Sequence, residues 1–201
     1  DGQILDEVYV YGSFLQSRMY SEEGVGCSDC HDPHSLKLKF DGNRLCAQCH
    51  QPGKFDSPAH HHHEPGTDGA LCVNCHMPSR DYMEIDGRRD HSLRIPRPDL
   101  SVEIGTPNAC NDCHQKPEET AAWAAESVRE WVADQSVASK RPGTGDWAGS
   151  GRTKHPHYAV ALSAARAGRP QGELLLRRLL ARNILPAIVR ATAIESLANY
   201  P

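Results

Sequence analysis

The sequence predicts a mostly α-helical chain with much irregular loop, in two parts whose interiors are filled by different material. Three observations predict this. Only 38% of the 201 residues are apolar and 6% aromatic, against 16 glycines and 14 prolines, which leaves little for a core made of side chains. All eight cysteines and ten of the twelve histidines fall within residues 1–116. From residue 117 the apolar residues recur instead at helical spacing between prolines. The first part, 1–116, therefore needs something other than side chains at its centre. The second, 117–201, is expected to be a packed helical segment.

The cysteine spacing points to what fills the first part. The cysteines stand in four pairs, Cys27 and Cys30, Cys46 and Cys49, Cys72 and Cys75, Cys110 and Cys113. Each pair has two intervening residues and is followed at once by histidine: His31, His50, His76 and His114. C-x-x-C-H is the attachment signature of c-type haem. Two thioether bonds tie the vinyl edge of the ring to the chain, and the adjacent histidine reaches the iron from one face. Four copies with no cysteine left over predict four haem c groups, with those four histidines as proximal ligands. A zinc ribbon also uses C-x-x-C pairs, but four thiolates close a zinc site and no adjacent histidine is required. With histidine at about 6% of the chain, four chance placements run at roughly 1 in 10⁵ given the bare C-x-x-C signal. A disulfide scaffold would staple distant loops and would not repeat one local pair four times.

Cys30-His31-Asp32-Pro33-His34-Ser35, followed by Gly42-Asn43-Arg44-Leu45-Cys46, resembles the paired C-x-x-C-H segment of multihaem cytochromes c. Cys75-His76-Met77-Pro78 is similar to a turn recurrent in the same respiratory proteins. Arg88-Arg89-Asp90-His91-Ser92, Arg97-Pro98-Asp99-Leu100 and Pro107-Asn108-Ala109-Cys110 extend the similarity. Over about residues 10–200 the chain resembles the bacterial family in which a tetrahaem module precedes HEAT- or TPR-like helical repeats. The resemblance implies electron transfer outside the cytoplasm, in the periplasm or at the cell surface, without identifying a pathway.

The elements follow in chain order. Residues 1–26 read as extended or loosely helical, with Val8, Tyr9, Tyr11 and Phe14 available to pack on a porphyrin. His34 lies three residues after His31, and three residues reach only ~10 Å when extended. That is too short to round the ring edge, so His34 as a ligand would serve a neighbour, most naturally the second haem. The alternative is a surface or propionate-binding histidine. His60, His61, His62 and His63 form a run between the second and third motifs. In a helical turn positions one and four share a face while position two points elsewhere, so the run can supply two irons. The resemblance favours His60, His61 and His63. Tyr82 to Arg88 reads as a short hairpin with its turn at Asp86-Gly87, and His91 beyond it stands where a capping loop would be. Arg88, Arg89, Arg94 and Arg97 surround His91, either to pair haem propionates or as solvated charges. The gaps of 14, 21 and 33 residues between motifs leave room for short helices and turns but no sheet.

His34, two histidines of the run and His91 make four distal ligands for four irons, so methionine ligation by Met19, Met77 or Met83 is unnecessary. Bis-histidine ligation implies lower potentials than a His/Met site gives. His155 and His157 read as surface or helix-start residues.

In the second part, Pro117-Glu118-Glu119 reads as a helix start, with proline first and acids in the first turn. Trp123, Ala124, Val128, Trp131 and Val132 form an apolar stripe at helical spacing. Helices are expected at about 117–134, 156–167, 171–183 and 187–199, with a linker over 139–153. A period near 16 residues with Pro170, Pro186 and Pro201 as punctuation is the mark of an α-solenoid. A stack without a polar capping helix is expected to continue beyond Pro201.

The formal charge of −4 argues against a nucleic-acid partner. No stretch approaches the ~20 apolar residues of a membrane helix, and no signal peptide opens the chain, so an export signal is expected to be removed or upstream. The leading reading is an exported electron carrier whose partners are redox proteins or other copies of itself. The alternatives are a polymerising cytochrome that forms a conductive filament, and a nitrite- or hydroxylamine-type oxidoreductase subunit. The last needs an open iron beside acid–base groups, and no motif here departs from C-x-x-C-H to provide one. The chain is expected to be a carrier rather than an enzyme, with no catalytic residue to name.

Overall fold

The computed structural model describes residues 10–138, 157–182 and 185–200. The chain divides by packing into two units, one drawn from Gln3–Ile95 and the other from Pro96–Pro201. Composition sets its own boundary at 116, and the two divisions answer different questions. Among the described residues no helix is long and apolar enough to cross a membrane. Val8, Tyr9, the 139–153 linker, His155 and Pro201 lie outside the described residues.

The unit Gln3–Ile95 is a string of single turns. Short helices run over Val10–Phe14, Arg18–Glu23, Cys27–Cys30, Pro52–Phe55, Pro58–His61 and Cys72–His76, with 3₁₀ turns at Gly42–Gln48 and Asp68–Ala70. Proline opens two of these turns, where its missing N–H costs nothing. Ser17 caps the second helix by accepting the Tyr20 N–H at 3.1 Å, and Gly24 ends it in the left-handed conformation. Among the described residues of this unit only Phe14 and Ala70 are buried apolar side chains, beside the buried polar Ser13, Ser17, Asp90 and Ser92. Local hydrogen bonds, rather than an apolar cluster, define its chain path.

This unit also holds a sheet, contrary to the expectation that the gaps have no room for one. Ser79–Tyr82 pairs antiparallel with Asp86–Arg89, in the register Ser79 with Arg89 through Tyr82 with Asp86. The turn is not at Asp86-Gly87, which lie within the second strand. Met83 and Glu84 take positive φ instead and close a three-residue loop. Arg89 fixes the register from outside the hairpin: its guanidinium donates to the Val73 and Met77 carbonyls at 3.3 and 3.0 Å and to Asn74 Oδ1 at 3.1 Å.

The unit Pro96–Pro201 has an apolar core of the ordinary kind. Tyr158–Arg166, Gly172–Leu180 and Ala187–Leu197 pack on one another around Ala161, Leu162, Ala165, Leu176, Leu179, Val189 and Ala193. Gly172 allows the closest approach, because a Cβ there would run into the Tyr200 hydroxyl and the Ala165 backbone. The helix Pro98–Ile104 packs on Ala121–Ala138, and Leu100, Ala124 and Val128 are buried. That longer helix begins four residues later than Pro117. Thr120 Oγ1 accepts the Trp123 N–H at 3.3 Å and outcompetes proline as the start signal. Pro117 and Glu118 form a turn ahead of it, and the Glu119 carboxylate bonds back to the Lys116 N–H at 3.1 Å.

Candidate metal centres

One helical turn builds each Cys-x-x-Cys-His site. The backbone N–H of His31, His50 and His114 returns to the carbonyl of the first cysteine of its motif at 2.9, 3.0 and 2.8 Å. His76 completes the helix Cys72–His76. Residues i, i+3 and i+4 therefore share one face, and both thiols and the imidazole can address one planar group. Asp29 accepts the Gly26 N–H at 2.7 Å to start the first turn. Asn108 Oδ1 accepts the Asn111 N–H at 3.2 Å at the start of the fourth.

Three of the four motif imidazoles have a partner at Nδ1. His31 Nδ1 bonds the Leu36 carbonyl at 3.0 Å, and His76 Nδ1 bonds the Arg94 carbonyl at 2.7 Å. Arg94 returns its own N–H to the His76 carbonyl at 3.0 Å. A carbonyl partner fixes the proton on Nδ1 and directs the lone pair of Nε2 outward, the arrangement of a metal-ligating histidine. His91 Nδ1 is held in the same way by the Arg89 carbonyl at 2.9 Å. His114 differs, because its Nδ1 faces a carboxylate, Glu119 Oε1, at 3.3 Å. The Lys116 N–H and then the His114 ring hold that carboxyl below its ordinary range.

Two of these imidazoles meet a second one. The His31 and His91 rings lie 6.4 Å apart between centroids with planes 24° from parallel. The His60 and His76 rings lie 6.2 Å apart at 12°. With metal–imidazole distances of about 2.0–2.1 Å and a ring nitrogen about 1.1 Å from its centroid, two axial rings on one metal stand about 6.3 Å apart. Both pairs have the spacing of two imidazoles that share an iron. Burial is the main cause that pushes His60 and His76 below the ordinary histidine range, so both favour the neutral form that coordinates.

The other candidates are distributed as follows. Phe55 stands edge-on between His50 and His60, at 5.4 and 5.5 Å. His61 and His63 face each other at 6.5 Å and 39°. The His63 N–H donates to His61 Nδ1 at 3.2 Å, and the His63 ring fills the space where a Cβ at Gly69 would be. The His34 side chain is exposed in a turn gathered by Asp32, whose carboxylate accepts the N–H groups of His34 and Ser35 at 3.1 and 2.7 Å. No ring contact joins His34 to another candidate among the described residues. His157 Nδ1 accepts the Ala159 N–H at 3.2 Å as a helix cap, which occupies the lone pair on that side.

The motifs are tied to one another by residues that the sequence pattern did not single out. Asn43 Nδ2 donates to Asp56 Oδ1 and the Ala70 carbonyl at 2.8 and 2.9 Å, while its Oδ1 accepts the Cys72 N–H at 2.9 Å. Gln48 reaches the Asp29 carbonyl at 3.5 Å. Asp90 and Ser92, both buried, brace His91: the carboxylate accepts the Ser92 N–H at 2.9 Å and the Ser92 hydroxyl at 2.7 Å, and it pairs with Arg94 at 3.2 Å. The arginines flanking His91 have protein acceptors: Arg88 on Asp86 at 2.8 Å, Arg89 on the third motif, Arg94 on Asp90, and Arg97 on Asp99 at 2.6 Å.

The thiols do not form a zinc cage. Among the described residues no three His, Cys, Asp or Glu side chains come together as a metal cluster, whereas structural zinc needs four donors. Burial, then the neighbouring Cys72 thiol, pushes Cys46 up to about 11, and burial raises Cys30 and Cys72 as well. The donor set fits a group held by two thioethers and an imidazole.

Comparison with family models agrees for the first two motifs. Residues 21–55 match the doubled C-x-x-C-H motif. The motif indicates covalently bound haem c, in the manner of a multihaem c-type cytochrome. No curated protein and no solved structure matches the chain.

Proposed function

We propose that this chain is an exported cytochrome that conducts electrons through four closely spaced bis-histidine haems, attached at its four Cys-x-x-Cys-His motifs. The observation that carries the reading is the spacing of two imidazole pairs, His31 with His91 and His60 with His76, at 6.4 and 6.2 Å. Haem c supplies one-electron exchange when bound, and the residues of the chain supply attachment, orientation and spacing. His31 and His76 are proximal ligands, and His91 and His60 their distal partners. His50 and His114 take the same proximal role, with His34, His61 and His63 as the remaining distal candidates. Leu36, Arg89 and Arg94 hold the imidazole tautomers through their carbonyls, so a change of iron charge meets a ligand set that is already oriented. The scarcity of buried apolar side chains among the described residues of Gln3–Ile95 supports porphyrins as the interior of that unit. The links through Asn43, Gln48 and Arg94 support short gaps between rings. The helical segment is the surface for a redox partner or a second copy. Export to the periplasm or cell surface follows from the resemblance.

A pyridine haemochrome assay with intact mass tests the reading. The expected result is four covalent haems, low-spin and closed to carbon monoxide at neutral pH. Two haems, or none with stoichiometric zinc, would overturn it.

A further inference from the structure

Arg80 stands on the first strand of the hairpin, four residues beyond His76. Its Nε is buried and meets no acceptor. Its register partner across the hairpin is Arg88, and like charges directly opposite destabilise a strand pair. Arg88 has a counterion in Asp86 on the same strand, at 2.8 Å. Arg80, Tyr82, Asp86 and Arg88 form the half-buried face of the hairpin, while Ser79, Asp81, Gly87 and Arg89 form the exposed one. A buried guanidinium donor with no acceptor loses its hydration and gains nothing in return. An acceptor from outside the chain's own atoms would complete it.

Chemistry and position identify that acceptor. The planar fork of arginine matches a carboxylate in bidentate fashion. Arg89, opposite Ser79, anchors the hairpin to the carbonyls of Val73 and Met77, while Arg80 lies on the opposite, half-buried face, four residues along the chain from His76. The Cys72, Cys75 and His76 site would bring a porphyrin whose two free acids are propionates. We propose that Arg80 is the receptor for a propionate of the haem attached at Cys72 and Cys75. The assignment rests on the haem reading above. The four arginines around His91 already have protein partners. The other orphaned atom of this kind among the described residues, Arg190 Nε, lies on the last helix, far in sequence from any Cys-x-x-Cys-His motif.

The test compares wild-type holoprotein with R80M, which keeps an apolar stem and removes the cation. Removing positive charge beside a propionate favours the ferric form, so one of the four potentials should fall while three stay within error. The thermal midpoint should fall with it, and R80K should restore part of the potential. If Arg80 holds nothing, deleting an orphaned buried donor leaves the midpoint equal or higher and moves no potential, and that result overturns the assignment. R80Q is the second variant, should R80M fail to mature. A fall in one potential supports the receptor role, and four unchanged potentials refute it. Wild-type protein without covalent haem refutes both this assignment and the function on which it rests. Haem present with unmoved potentials refutes the Arg80 assignment alone.

Discussion

Replacing Asn43 separates a structural strut from a bystander. Its amide makes three bonds that join the second motif to the third, to Asp56 Oδ1, the Ala70 carbonyl and the Cys72 N–H. Each such bond contributes about 1 kcal/mol net. The one to Asp56 is exposed and water replaces part of it, so N43A should cost about 2 kcal/mol. N43D keeps the acceptor for Cys72 but loses both donors, and it sets a new carboxylate against Asp56 and the Ala70 carbonyl. Two like charges at contact in a solvated setting add about 1 kcal/mol, which offsets the bond kept to Cys72, so N43D should also cost about 2 kcal/mol at pH 7. With a urea slope of about 2 kcal/mol/M, the midpoints should fall by about 1 M for both variants. The assay is urea unfolding of the holoprotein at pH 7, followed by far-UV circular dichroism. At pH 3 carboxylates are largely protonated and the repulsion is gone, so N43D, which keeps the acceptor for Cys72, should become the more stable of the two by about 1 kcal/mol. An N43D variant as stable as wild type at pH 7, or two variants that stay equal at pH 3, would refute the reasoning.

Three further expectations are tested spectroscopically. H91A should leave covalent haem in place and open the iron beside His31, giving one carbon monoxide bound per chain. H157A, which alters only a helix cap, should bind none. H34A tests the strap expected from its short tether to His31: a new high-spin signal from the haem at His50 supports a ligand role, and four low-spin haems with unchanged potentials make His34 a bystander. G69A should displace the His63 ring, since a Cβ there occupies its space. A changed low-spin electron paramagnetic resonance signal from one haem is the expected readout, and an unaltered spectrum refutes a ligand role for His63.

The legible parts of this chain are the local ones. The Cys-x-x-Cys-His motifs announce themselves because attachment chemistry requires thiols and imidazole within one helical turn, a spacing that no tertiary contact alters. The hairpin was read from a turn signal at Asp86-Gly87, and the hairpin is there but the turn is not. Asp86-Gly87 carries the stronger turn signal in isolation, and the docking of Arg89 onto Val73 and Met77 shifts the chain so that Met83 and Glu84 reverse it. Pro117 misled in the same way, because the Thr120 hydroxyl captures a free N–H of the first helical turn, that of Trp123. Asn43 stood within the segment that carries the resemblance, but its role was not legible: its three partners lie 13, 27 and 29 residues away, and only the folded chain brings them together. His91 was recognisable as a candidate ligand, but that its ring faces His31, sixty residues upstream, is visible only in the folded chain.

The segment Arg89–Arg94 has a consequence for how such a protein can vary. Its first carbonyl holds the imidazole of His91, which faces His31, and its last carbonyl holds the imidazole of His76. Between them, Asp90 and Ser92 lock the turn. A substitution in this stretch therefore moves two imidazoles at once. Their drift is correlated: neither centre can be retuned through this loop without disturbing the other, so independent adjustment has to come from Leu36 on one side or from the His60 turn on the other.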